Sequence, residues 1–207
     1  MAKVKITGHA SGTGVLTVTA PNTSSDRTIT LPDATGTLLN SDGDGSSLTG
    51  VGGGLTSATE QSTASGTGVT FSGIPSGTKL IIVSFNECSH DDANNYKIEI
   101  GDAGGLETTG YTCSGYAFTT SSTAIQSSTI QWKLRSSTAS GLMGGHAILT
   151  LVNSTNNTWV INWNAKLTTA QHMGGGGTKS LSGELTQLKF APDTGNFDNG
   201  AVNIFYM

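Results

Sequence analysis

The tract Gly174-Gly-Gly-Gly-Thr-Lys-Ser180 is the first stretch to test for chemistry, because glycines ahead of a Lys-Ser pair can cradle a phosphate. A phosphate loop puts Lys directly after the last glycine and then opens a helix whose N-terminal amides face the anion. Here Thr178 intervenes before Lys179, and the following Leu181-Ser-Gly-Glu-Leu-Thr186 reads as strand. The tract is expected to be a flexible glycine loop. Asp42-Gly-Asp44 and Asp91-Asp92 bring carboxylates together, but neither offers the about six to eight oxygens of a calcium site. They read as solvated turn aspartates. The four histidines, His9, His90, His146 and His172, include no pair at the short spacing of a zinc half-site. His146 opens an apolar strand, whereas His90 and His172 fall in expected loops. Three copies of one histidine on a threefold axis would still allow an axial metal. Gly-x-Ser-x-Gly does not occur as a strand–turn–helix element, and no pair of acids stands out as a glycosidase dyad. Neither catalysis nor a cofactor is expected.

Aromatic side chains offer the other chemistry. Trp132, Trp159 and Trp163 could stack on sugars, but they alternate with Ile130, Leu134 and Ile161 and so read as core or subunit interface. Tyr96, Tyr111 and Tyr116 lie beside expected turns, near Asn94, Asn95 and Ser114. Tyrosine with asparagine on loops suits adaptable recognition of glycans or protein loops. The candidate contact residues are therefore Asn94, Asn95, Tyr96, Tyr111, Tyr116 and His172, in loops around 91–96, 109–116 and 170–177.

Strands must position these groups. Ile98 and Ile100 alternate with Lys97 and Glu99, and Trp159, Ile161, Trp163 and Ala165 alternate with Val160, Asn162 and Asn164. Period two with β-branched and aromatic residues marks half-buried strands. Ala147-Ile-Leu-Thr-Leu-Val152 is apolar on both faces, as a central strand would be. Strands are expected at 67–71, 79–86, 96–101, 110–118, 129–135, 146–153, 158–165, 184–190 and 201–206. Turn signals such as Pro75-Ser-Gly77 and Asn153-Ser-Thr-Asn-Asn157 separate them. About nine short strands without an amphipathic helix predict an all-β fold, a jelly-roll-like sandwich over residues 63–207.

The first part differs. Val15–Thr19 and Thr28–Leu31 are short alternating strands, each followed by a proline within a residue or two. Leu16, Val18, Ile29 and Leu31 are too few to offset the ordering entropy of their segment, about 1–2 kcal/mol per residue. Another copy of the chain is the expected cover. Residues 1–39 thus read as an extended, intertwined β segment for attachment and trimerisation. Residues 40–62 read as a Gly/Ser-rich connector or stalk, in which Leu48, Val51, Leu55 and Ala58 could seam three chains or simply punctuate a flexible linker.

Bulk properties exclude several classes. The formal net charge is −4, charged residues make up 12% of the chain, and no basic run is present, so nucleic acid lacks its electrostatic attraction. The longest strictly apolar run, Leu80-Ile-Ile-Val83, is far below the ~20 residues of a membrane helix. No signal-peptide pattern is evident at the N-terminus, which points to synthesis and folding in a cytoplasm. Cys88 and Cys113 are expected as free thiols, with a bridge between them the less favoured arrangement.

The blocks Gly12-Thr-Gly-Val-Leu-Thr-Val-Thr-Ala-Pro21 and Thr28-Ile-Thr-Leu-Pro-Asp-Ala-Thr-Gly-Thr-Leu-Leu39 resemble N-terminal segments of tailed-phage tail fibre proteins. Asp42-Gly-Asp-Gly-Ser-Ser-Leu-Thr-Gly-Val51 resembles a stalk element of such fibres. The phrases 77–85, 100–111 and 177–186 look like the C-terminal domain of fibre-like structural proteins of marine and aquatic phages. The resemblance implies a non-enzymatic homotrimeric virion fibre, made in a bacterial host's cytoplasm. Its N-terminus would hold another virion protein of tail, baseplate or capsid, and its distal sandwich would meet a host surface glycan or protein. No membrane insertion is implied. A capsid decoration or head fibre, or a free lectin-like carbohydrate-binding module, would use the same architecture. No catalytic or binding residue follows from the resemblance itself.

Overall fold

The computed structural model describes residues 54–136, 138–168 and 171–207, together with Ser11 and Ser24. The attachment and stalk positions Leu16, Val18, Ile29, Leu31, Leu48 and Val51, and His9, lie outside the described residues. Residues 54–207 belong to one compact unit, Gly50–Met207.

The described residues are all-β, with no helix. The strands are β1 (Thr56–Ser57), β2 (Gln61–Ser62), β3 (Val69–Ser72), β4 (Leu80–His90), β5 (Tyr96–Asp102), β6 (Gly105–Leu106), β7 (Tyr111–Thr119), β8 (Thr123–Ser128), β9 (Trp132–Leu134), β10 (Met143–Asn153), β11 (Thr158–Leu167), β12 (Gln171–Ser180), β13 (Gln187–Pro192) and β14 (Phe197–Tyr206). A nine-stranded sheet runs β1-β14-β4-β10-β11-β12-β7-β8, with β2 also on β14. A five-stranded sheet runs β3-β13-β5-β6, with β9 also on β5. Every pairing is antiparallel. This is the expected β-sandwich, built on two sheets of unequal size.

Alternation decides which residues fill the interior. Along β11 Trp159, Ile161, Trp163, Ala165 and Leu167 are buried, while Val160, Asn162, Asn164 and Lys166 face out. From β5 and β13, Ile98, Ile100, Leu188 and Phe190 enter the same core. Aromatic rings close one end, with Phe85–Phe190 centroids 4.8 Å apart and Tyr96 stacked on Phe190 at 5.5 Å. At the other end Tyr111 meets Trp132 edge-on at 5.3 Å.

Five expectations need correction. The glycine tract is not a loop: Gly174, Gly175, Gly176 and Gly177 are the middle of β12, paired to β11 and β7 on either side. Residues 181–186 form no strand, and Thr123–Ser128, unmarked in the sequence, does. Ile130 is 52% exposed, and β9 begins only at Trp132. The run 147–152 is an inner strand, but Ile148 and Val152 are exposed, at 36% and 63%, while Ala147 and Leu149 are buried. Part of the expected connector belongs to the sandwich, since Thr56–Ser57 and Gln61–Ser62 pair with β14.

Candidate functional site

The tryptophans explain the glycines. Trp163 points inward from β11 and lies over Gly115 of β7 and Gly175 of β12. A methyl group on Gly175 would overlap Trp163 Cζ2 and stand 2.5 Å from the Ser114 carbonyl oxygen. On Gly177 it would come within 2.9 Å of Trp132 Cδ1. Rings from β11 and from β9 of the other sheet are thus seated on side-chain-free positions of β7 and β12, as close packing requires. Trp132, Trp159 and Trp163 are at most 1% exposed, so they are core rather than a sugar platform.

The six candidate contact residues fall into three groups. Asn95, Tyr96 and Tyr111 are buried, at 6%, 0% and 2% exposure, and are committed to the fold. Asn95 Oδ1 accepts from the Ser136 amide at 3.1 Å. The Tyr96 hydroxyl donates to the Cys88 carbonyl at 3.0 Å. The Tyr111 hydroxyl accepts from Ile100 N at 2.9 Å and sits 2.9 Å from the Glu107 carbonyl. Burial pushes both phenols well above their ordinary range. These residues read as loop residues because turn signals flank them, whereas each occupies an inward strand position or the buried base of a turn. Asn94 is half-buried in the β4–β5 turn, where its Nδ2 donates to Thr194 Oγ1 at 2.8 Å. Tyr111 and the turn before it lie at the opposite end of the sandwich from the 91–96 turn, as the registers of β4, β10, β11, β12 and β7 require.

Tyr116 and His172 are brought together. Both lie on strands, on the outer face of the nine-stranded sheet, and the register sets Tyr116 beside Gly174 and Phe118 beside His172. One strand further on, Gly174 faces Asn164 and His172 faces Lys166. The Tyr116 ring leans across Gly174, where a β-carbon would stand 2.5 Å from its hydroxyl oxygen. Its ring centroid is 4.7 Å from that of Phe118, which is 47% exposed. At the end of this row is a recess of about 400 Å³ lined by Phe118, Thr119, Thr120, Lys166, Gln171 and His172, with Thr168 completing it. His172 Nε2 is out of solvent without a hydrogen-bond partner. Lys166 Nζ is held by Glu87 Oε1 at 2.6 Å. Phe118 and Lys166 went unnoticed in the sequence; only the alternation of exposed positions on β7 and β11 could have flagged them.

Other titratable groups serve structure. Lys179 is 4% exposed and pairs with Glu107, which also accepts from Ser182 N at 2.7 Å. Burial raises the Glu107 carboxyl, but the Lys179 and Ser182 hydrogen bonds outweigh it and hold the pKa below its usual range. Cys88 and Cys113 are buried, unbridged thiols, and burial raises both above the ordinary thiol value. That leaves them protonated and inert. His90 is 0% exposed against the edge of Tyr96, with both ring nitrogens lacking partners, and burial lowers its pKa. Among the described residues no group of His, Cys, Asp and Glu is arranged to hold a metal ion.

No protein-family model, curated protein or solved structure matches this chain.

Proposed function

We propose that this chain is a non-enzymatic, homotrimeric phage fibre protein. Its N-terminal segment attaches to the virion, and residues 54–207 form the distal head that meets the host surface. The observation that carries the reading is the division of labour along the chain. Residues 54–207 bury a complete core of their own. Residues 1–39 offer alternating strand segments with too few apolar side chains for one. A chain so divided needs partners at one end and leaves the other end free to bind. The order of fibre-like phrases along the sequence supports the same assignment. Weak contacts at each head gain strength through many copies on one particle.

Two measurements test it. Mass in solution should be three times 21.1 kDa. Immunogold labelling of purified virions with antibodies against the head should mark fibre tips, and labelling at the capsid would make it a head fibre. A folded monomer, or a particle without the label, refutes the proposal.

A further inference from the structure

We infer that the outer face of the nine-stranded sheet, along Tyr116, Phe118, Asn164 and the glycines of β12, is a binding site for a neutral saccharide. The inference deepens the attachment reading and rests on it for its biological setting.

The argument begins with the floor. Gly174 and Gly176 are successive outward positions of β12, so the sheet has no side chain there. A β-carbon on Gly176 would meet only the Ile161 carbonyl oxygen, at 3.1 Å. The row across the floor is set by register: Tyr116 and Ser114 of β7 on one side, Asn164 and Asn162 of β11 on the other. Those walls stand two strand spacings apart, roughly 9–10 Å. Tyr116 lies over Gly174 and narrows this span, which leaves the floor open at Gly176 for one edge of a sugar ring. Tyr116 leans over Gly174 instead of standing upright, which only a glycine beneath it permits. Phe118 packs against it and remains half-exposed.

The chemistry of the lining selects the ligand. A pyranose has an apolar C–H face and a rim of hydroxyls. Aromatic rings match the face, and a planar amide such as Asn164 can both donate to and accept from neighbouring hydroxyls. The threonines and His172 of the adjoining recess extend the same hydrogen-bonding rim. Ile125 of β8, 77% exposed, stands beside Tyr116 on the same face and extends its apolar edge. An anionic ligand would have to displace Glu87 from Lys166, because that ion pair already neutralises the cation lining the recess. Asn162 Nδ2 is tied to the Gly175 carbonyl at 3.1 Å, which fixes its side chain along the floor. A prearranged row of this kind lowers the ordering cost of binding.

The test uses the full chain, labelled, on an array of neutral hexose and N-acetylhexosamine oligomers together with acidic glycans. The best-bound neutral oligomer is then titrated in solution. Tyr116→Ala and Asn164→Ala should each weaken binding at least tenfold while the melting temperature stays within a few degrees. Tyr116→Phe should retain most of the affinity, since the ring remains. Gly176→Val should abolish binding by filling the floor, with circular dichroism confirming the fold. No glycan bound, acidic glycans alone bound, or neutral binding unmoved by all the variants would each overturn the inference. Adsorption to host cells separates the two readings. If the chain adsorbs but the variants do so equally well, attachment stands and this site falls. If neutral glycans bind through Tyr116 but virions carry no label, the site stands and the fibre falls.

Discussion

Gly175→Ala puts the packing of the glycine strand to a direct test. The added methyl would overlap Trp163 Cζ2 and approach Ser114 O to 2.5 Å and Gly115 Cα to 2.6 Å. Two of those neighbours are backbone atoms of a paired strand and cannot swing aside. Overpacking of this kind costs about 1–3 kcal/mol. Against it stands the smaller entropy of the unfolded chain when glycine becomes alanine, about 0.5–1 kcal/mol. The net expectation is a loss of about 1–2 kcal/mol, or about 2–8 °C in Tm for a domain of this size. Gly176→Ala, one residue on, faces outward with only Ile161 O at 3.1 Å, so the entropy term dominates and stability holds or rises slightly. Urea unfolding followed by tryptophan fluorescence reads both, because Trp132, Trp159 and Trp163 are all buried. Trp163→Leu should reduce the cost of Gly175→Ala by at least about 0.5 kcal/mol, a coupling expected only of touching residues. Equal stabilisation by both alanines would refute the reasoning, since that is how a flexible loop behaves.

Stability should fall with acid in two stages. His90 is buried neutral with its pKa below the ordinary 6.5, so the unfolded chain binds the proton first and stability drops as pH falls through about 6.5, despite the nearby Asp198, Asp92 and Asp91. His90→Phe should flatten that stage in a melting series from pH 8 to 5, and an unchanged profile would exclude His90 as its source. The second stage lies lower: Asp91, Asp102 and Glu184 accept hydrogen bonds that depress their pKa values, so their contribution is lost as pH falls below the ordinary 3.8 to 4.5. Lys179→Ala should cost about 1–3 kcal/mol by stranding Glu107, less than for a wholly buried pair because Glu107 is 22% exposed. Lys179→Ala/Glu107→Ala should recover part of it in urea unfolding. Truncation separates the connector from the sandwich. A chain starting at residue 54 should keep full stability in calorimetry, whereas one starting at 63 loses β1 and β2 and melts earlier, and equal melting points would return those strands to the linker.

Side-chain alternation was legible in the sequence because a half-buried strand writes its two environments into successive residues. Trp159, Ile161 and Trp163 against Val160, Asn162 and Asn164 fixed β11 and its inward face before any partner was known. Turn residues bounded most strands for the same local reason. Glycines carry no such record. Gly174 to Gly177 have no side chain to sort between core and solvent, so their strand exists through hydrogen bonding to β7 and β11 and through the rings seated on them. Tyr96 and Tyr111 look like loop tyrosines because turn signals flank them, and only their long-range partners make them core. The row of Tyr116, Gly174 and Asn164 spans three strands whose residues lie about 10 to 60 positions apart in sequence. Antiparallel register brings them side by side, and register is a property of pairing that no single strand contains.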